Sequence, residues 1–260
     1  IHLMEGPVIE QARLLGVRTG EMHLALGARS DLKDFQPEEY SLHYQRSIFA
    51  SLKPLVRASF QNLTKSIKRL PEESRPEAKE VLSMMDEILN EMKKVYRKKI
   101  DIVKRRIHGD YHLGQVLFTG KDLVIMDFEG EPSRSYSERR IKRSPLRDVA
   151  SMVRSFHYVV YGGLFLNNQV RKEDINRVLP YSEMWHNYMS GIFMQAYMET
   201  VDGHAFIPKD KEDLDVLMRT FLLEKAVYEL NYELNSRPDW VIVPLKGIKA
   251  IMQGEVSAKV

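Results

Sequence analysis

The sequence predicts a mainly α-helical fold of the α+β type, with one small β-hairpin set among long helices. Two observations carry this. Apolar residues recur at steps of three and four over most of the chain, the period of a helix with one buried face. Near the middle that period stops. Two short apolar runs, Val116-Leu117-Phe118 and Leu123-Val124-Ile125-Met126, there flank the turn Thr119-Gly120-Lys121-Asp122, which is a hairpin pattern.

Gly6 to Leu26 reads as a first helix, with Gly27 and Ser30 marking its exit. Pro37 sits where a first helical residue would, since its fixed φ suits that position. Tyr40, Tyr44, Ile48, Leu52, Val56, Phe60, Leu63 and Ile67 follow at helical spacing, and Pro54 inside the run predicts a kink. Pro71 and Pro76 bracket a turn. A second long helix then presents Val81, Met85, Ile88, Met92, Val95 and Ile100, so the two form an antiparallel helical hairpin. Gly130 to Ser144 reads as an irregular, charged loop. Ser144-Pro145 begins a helix with Val149, Met152, Val153, Phe156 and Val160 on its period. Two more run from about Tyr181 to Val201 and from Lys211 to Asn235, the second stopped by Arg237-Pro238. Trp240 reads as an anchor for a short tail ending in Pro244 to Met252.

Composition narrows the function class. The 260 residues suffice for a sizeable core, and 43% hydrophobic with 29% charged residues is ordinary for a soluble globular protein. A net charge of only +3 gives no support to a nucleic-acid partner. Cysteine is absent, which excludes disulfides and thiolate metal sites and fits a reducing, cytoplasmic compartment. No apolar run reaches the length of a transmembrane helix, so no membrane partner is expected. Ile1-His2-Leu3-Met4-Glu5 carries neither the basic start nor the apolar stretch of a signal peptide, and it does not open on methionine. A segment of a longer polypeptide is therefore expected.

Chemistry concentrates around the hairpin. Asp110 lies in the loop before it, Gln115 follows five residues later, and Asp127 closes its second strand. A hairpin of this length returns Asp127 to the loop carrying Asp110 and Gln115. Two carboxylates and one amide oxygen then converge. Phosphoryl transfer needs such a set: a carboxylate to accept the proton of the attacking hydroxyl, and hard oxygens to hold Mg²⁺ against nucleotide phosphates.

His108-Gly109-Asp110 followed by Gln115 resembles the catalytic loop of the aminoglycoside-phosphotransferase branch of the protein-kinase-like superfamily, with Asp127-Phe128-Glu129 in the place of the kinase Asp-Phe-Gly motif. The usual metal-binding Asn is here Gln115, an amide on a longer arm. The segments 108–115, Met126-Asp127-Phe128-Glu129-Gly130-Glu131-Pro132, Ser144-Pro145-Leu146-Arg147-Asp148-Val149-Ala150 and Tyr228 to Trp240 are together similar to bacterial maltokinases, which also occur fused to trehalose synthase. The resemblance implies the C-terminal lobe of a protein-kinase-like fold and transfer of the ATP γ-phosphoryl to the anomeric hydroxyl of maltose. It implies Asp110 as base, Gln115 and Asp127 as Mg²⁺ ligands, and His108 and Asp148 as supports of the catalytic loop. On this reading 1–106 holds the N-terminal helices and helical hairpin, 107–143 the catalytic loop, hairpin and charged loop, and 144–260 a helical subdomain. No glycine-rich phosphate loop or β-rich start is present, so the ATP-binding N-terminal lobe is expected elsewhere in the parent protein.

Each residue also has a plainer reading. Asp is common in turns, and Asp110 stands out only through Gln115 and Asp127. His112 reads equally as a substrate contact and as a loop residue. His108-x-Asp110-x-His112 is also a ligand pattern for Zn²⁺ or Mn²⁺ in a hydrolase. Glu129 and Glu131 are sugar or metal contacts, or exposed loop acids. Arg134, Arg139, Arg140, Lys142 and Arg143 read as a solvated surface or as charges that steer anions. Asp148 suits the positive end of its helix on electrostatic grounds alone, and Arg147 pairs with an acid or reaches substrate. Tyr228, Glu229, Tyr232 and Glu233 are sugar contacts or a packed helix face with salt-bridged acids. Two alternatives to maltose phosphorylation remain: a phosphotransferase for another sugar or aminoglycoside, and a non-catalytic docking module of a fusion protein.

Overall fold

The computed structural model describes residues 6–29, 31–166 and 170–254. Ile1 to Glu5 and the expected exit residue Ser30 lie outside them. Helix α1 (Gly6–Ala25) opens the chain, and Gly27 closes its end by donating to the Leu24 carbonyl.

Pro37 does not start a helix. Glu38–Glu39 forms β1, and Ser41 caps α2 (Leu42–Ser66) by accepting from the Tyr44 N–H at 3.2 Å. A proline suits extended backbone as well as a first turn, and the side-chain cap decided the boundary. Helix α2 runs on through Pro54 and buries Ile48, Leu52, Val56, Phe60 and Leu63 as the period predicts.

The expected second long helix is broken. Pro76 stands in the first turn of α3 (Arg75–Ser83), and α4 (Met85–Lys93) follows after Met84, whose ψ is 1°. At the break the Ser83 hydroxyl donates to the Glu80 carbonyl at 2.6 Å, a local bond that competes with the helical ladder. Val81, Ile88 and Met92 still share one buried face across it.

Strand β2 (Val103–Lys104) pairs antiparallel with β1, a second small sheet that the sequence did not announce. Glu38 stands opposite Lys104 and is ion-paired to it and to Lys142. The anticipated hairpin is β3 (Val116–Phe118) and β4 (Leu123–Ile125), with Val116 opposite Ile125 and Phe118 opposite Leu123.

The charged loop after it contains a short helix, α5 (Tyr136–Arg139), held by a reciprocal cap between Ser135 and Glu138. Helices α6 (Leu146–Phe165), α7 (Ile175–Thr200) and α8 (Lys211–Ser236) follow, α7 starting ahead of Pro180 rather than after it. The expected tail is a buried helix, α9 (Ile242–Gln253), ended by Gly254 in the left-handed conformation at φ 76°. Pro244 is tolerated because it lies in the first turn, and Ile242, Leu245, Ile248 and Ile251 turn inward at steps of three. Trp240 packs with Tyr161, Ile242 and Val243 beside this junction.

One continuous core runs between α2, α4, α6, α8 and α9, while α1 lies along α7. The small sheets sit at the edge of this bundle, so the loop before β3 is presented by a helical scaffold. Among the described residues no helix is long and apolar enough to cross a membrane.

The α1–α7 contact is close enough to need glycine. A Cβ on Gly16 would fall 2.4 Å from the Phe193 carbonyl oxygen and 2.9 Å from the Ala196 Cβ. Gly16→Ala should therefore lower stability by about 2 kcal/mol, despite the gain of about 1 kcal/mol in helix propensity, because backbone atoms must move. Urea unfolding midpoints measure this, and an unchanged midpoint would show that the two helices part freely.

Two buried histidines set an acid limit. Burial pushes the His186 pKa down to about 4, and burial followed by the neighbouring Arg154 drives His157 well below its ordinary value. Both His157 ring nitrogens are buried without a hydrogen-bond partner. In the unfolded chain these groups bind protons from about pH 6.5, so stability falls as pH drops from there toward 4. His157→Phe should flatten that slope in melting temperatures recorded against pH.

Candidate active site

The loop from His108 to His112 is held from several sides. It enters through Gly109, whose φ of 88° suits glycine. Asp148, in the first turn of α6 and 2% exposed, accepts the His108 N–H at 2.7 Å and the Gly109 N–H at 3.0 Å, one on each carboxylate oxygen. His23 of α1 lies 3.1 Å from the same carboxylate, and its other ring nitrogen lies 3.0 Å from the Tyr197 hydroxyl of α7. Downstream, buried Tyr111 bonds Thr19 at 2.8 Å, and the Leu113 N–H reaches Ser155 at 3.0 Å.

His108 ties this loop to the hairpin. Its Nε2 lies 2.7 Å from the Met126 carbonyl, which only accepts, so Nε2 carries the proton. Nδ1 then accepts the Asp110 N–H at 3.4 Å. The ring packs at 4.9 Å on Phe128 and 5.3 Å on Tyr111.

Directly after Met126, Asp127 adopts φ 63°, the one left-handed non-glycine among the described residues. Across the open end of the hairpin the Gln115 Nε2 donates to its carboxylate at 2.9 Å. The chain thus joins an amide and a carboxylate that stand twelve positions apart. Turning the amide over presents two hard oxygens, a set that suits Mg²⁺, which keeps several waters and takes its remaining ligands from phosphates. The His108-x-Asp110-x-His112 metal cluster does not assemble. Its His108 ring is engaged as described, His112 Nδ1 accepts the Gly114 N–H at 3.0 Å, and no three His, Cys, Asp or Glu side chains among the described residues stand close enough to share an ion.

Asp110 faces an open cleft of about 690 Å³, shared with His112, Glu131, Lys225, Tyr228 and Tyr232. Lys225 Nζ lies 4.0 Å from the Asp110 carboxylate and 5.3 Å above the Tyr228 ring. Burial pushes the His112 pKa down, with Asp110 opposing, so the imidazole is neutral at neutral pH. Tyr228 donates to Glu131 at 3.0 Å. Among the described residues no cation stands within ion-pair distance of Glu131, which leaves its charge uncompensated. Glu129 stands exposed and does not line the cleft.

The remaining candidates are held in pairs. Arg147 donates to Glu224 at 2.7 Å, away from the cleft. Glu229 takes two bonds from Arg154, at 2.9 and 2.7 Å. Glu233 takes two from Arg237, at 2.9 and 2.6 Å, and one from Tyr158 at 3.1 Å. Both acids reach the cleft wall as neutralised pairs. Sequence reasoning missed Lys225, Tyr158 and Ser155. Lys225 was within reach, since it precedes Tyr228 by three residues and so shares its helix face.

Comparison with solved structures shows that the chain shares its fold with part of larger known proteins. The structures concerned are glucosamine kinases. One, in complex with glucosamine, ADP and inorganic phosphate, superposes with a TM-score of 0.74 at 20% identity, covering 95% of this chain and 55% of that one. Another, crystal form A, gives 0.71 at 21% identity over 94% and 54%. In sequence, the chain is 26% identical over 140 residues to a glucosamine kinase of Streptacidiphilus jiangxiensis, covering 53% of this chain and 29% of the relative. It is 27% identical over 150 residues to one of Mycolicibacterium smegmatis, covering 56% and 34%. The chain thus spans about half the length of the solved structures, and the sequence match spans about a third of the curated relatives. No family model matches it. These likenesses do not single out maltose or a trehalose synthase fusion.

Asp148→Asn keeps the shape of the side chain but removes one carboxylate acceptor and the charge facing His23. It should cost about 2–4 kcal/mol, because a buried backbone N–H is left unsatisfied. Denaturant unfolding checks the cost. Hydrogen exchange checks its place: protection of the His108 and Gly109 amides should fall before that of α8.

Proposed function

We propose that this chain is the catalytic and acceptor-binding part of an ATP-dependent sugar kinase, the C-terminal lobe of a protein-kinase-like fold. The observation that carries the reading is the joined pair Gln115–Asp127 at the mouth of the hairpin, beside a loop that turns the Asp110 carboxylate into a sugar-sized cleft. Asp110 accepts the proton of the attacking sugar hydroxyl, and Lys225 at 4.0 Å orients its carboxylate. Gln115 and Asp127 would hold Mg²⁺, which when bound would neutralise charge on the nucleotide phosphates. His108 and Asp148 keep the loop in register with those ligands. The ATP-binding lobe comes from outside the present sequence. Leu117, Phe118, Val124, Met126 and Phe128, all exposed on the hairpin and its exit, give it an apolar face to pack on.

The acceptor favoured by the cleft is an amino sugar such as glucosamine. Glu131 holds an uncompensated charge that an ammonium group would pair with, and His112, Tyr228 and Tyr232 supply polar and aromatic contacts. The relatives' names point the same way. Maltose, implied by the motifs, is the second reading, and a fused trehalose synthase partner belongs to it. The cleft volume of about 690 Å³ and the exposed ring of Tyr232 favour it.

The test uses the full-length parent protein with ATP, Mg²⁺ and either glucosamine or maltose. Asp110→Asn should lower kcat by about a thousandfold while circular dichroism stays unchanged. Unaltered turnover in that variant would sink the assignment of the base. Glu131→Gln should raise KM for glucosamine and leave KM for maltose unchanged. A parent that consumes ATP with neither sugar is a kinase for another acceptor, and one that consumes no ATP is a docking module.

A further inference from the structure

Behind the catalytic loop lies a second, smaller cavity of about 80 Å³, walled by Gly109, Gly130 and the segment leading through α5 to α6. It adjoins the acceptor cleft at Glu131, Lys225 and Tyr228, but Asp110, Gln115 and Asp127 are not part of it. A single water needs about 10–15 Å³ of such space, so the cavity has room for a small polyatomic ion.

Its walls carry the cations Arg134, Arg139, Arg143, Arg147 and Lys225 against the carboxylates Glu131, Glu138, Asp148 and Glu224. Arg134, Arg143 and Arg147 all line it, and Glu224 serves two of them, at 2.7 Å from Arg147 and 3.9 Å from Arg134. Glu138 accepts in the cap of α5 and Glu131 accepts from Tyr228, so both keep their charge but neither stands in ion-pair contact with Arg143. Arg139 is spent on the carbonyls of Arg134 and Pro132. The Arg143 guanidinium is left with no hydrogen bond or ion pair among the described residues. Its backbone is fixed by paired bonds to Arg105 at 2.9 and 2.8 Å, so the side chain leaves from a rigid bridge. Arg147 adds a buried Nε that has no acceptor. Burial, then the nearby Arg147 and Arg134, push the Arg143 pKa down to about 10, which still leaves it charged at neutral pH.

Glu224 and Glu138 act on Arg143 only through space, so its half-buried guanidinium keeps a free planar fork, which matches an oxyanion. We infer that this cavity binds a tetrahedral oxyanion, as free phosphate or as the phosphoryl group of a phosphomonoester, with Arg143 as the principal contact and Arg134 and Arg147 beside it.

The experiment titrates the protein with inorganic phosphate at constant ionic strength, read by calorimetry and by thermal shift. Saturable one-site binding is expected, weakened by about tenfold or more in Arg143→Gln and unchanged in Asp110→Asn. Without phosphate, Arg143→Gln should be at least as stable as the parent, an effect that loss of a merely structural arginine would not give. Competition by a hexose phosphate assigns the phosphomonoester source, and its failure to compete assigns the free anion. Absence of saturable binding, equal affinity in Arg143→Gln, or binding lost in Asp110→Asn would overturn the inference.

Discussion

The carboxylate of Asp148 is the point at which scaffold and site become one structure. It is almost wholly buried, and its two oxygens take the amides of His108 and Gly109 while His23 stands against one of them. A buried charge is tolerated only when its hydrogen-bonding capacity is met, and here the partners come from two parts of the chain, the catalytic-site loop and α1. Moving the loop means breaking charge-assisted bonds in a low-dielectric interior, where each is worth about 1.5–3 kcal/mol. The loop therefore inherits the rigidity of α1, α6 and α7. From it, His108 passes that rigidity on to the hairpin through the Met126 carbonyl.

Hydrogen bonding divides the acids of the cleft into those held in ion pairs and those with bonding capacity to spare. Glu229 and Glu233 sit on its wall, yet each takes two bonds from one arginine, Glu229 on a single oxygen and Glu233 on both. Asp110 and Glu131 lack such a grip. Lys225 approaches Asp110 only at 4.0 Å, and Glu131 accepts from a neutral phenol. A ligand entering the cleft meets two carboxylates with bonding capacity to spare, held on a wall whose other charges are internally cancelled.

How far this was legible in the sequence depended on distance along the chain. The hairpin and the meeting of Gln115 with Asp127 follow from local turn chemistry, and both were readable. The short α5 was readable too, since Ser135 and Glu138 are spaced as a cap, but the surrounding arginines drew attention to charge instead. Helix α9 was obscured by Pro244, although Ile242, Leu245, Ile248 and Ile251 keep a helical step. The β1–β2 pairing was not legible, because Glu38 and Lys104 meet across 66 positions and nothing local marks either as a strand. Arg154 with Glu229, 75 positions apart, failed for the same reason, whereas Arg237 with Glu233 is a one-turn pair visible by inspection.

Asp127 holds a conformation that most side chains avoid, and the chain carries that strain for as long as it is folded. Glycine would adopt the same backbone freely and remove the carboxylate. If Asp127 is the metal ligand proposed above, selection for foldedness alone favours the residue that abolishes it, while selection for turnover favours the strained one. In a lineage released from catalysis, this position is where the two pressures would first part. An otherwise intact fold bearing glycine after Met126 would record a module that had given up its chemistry.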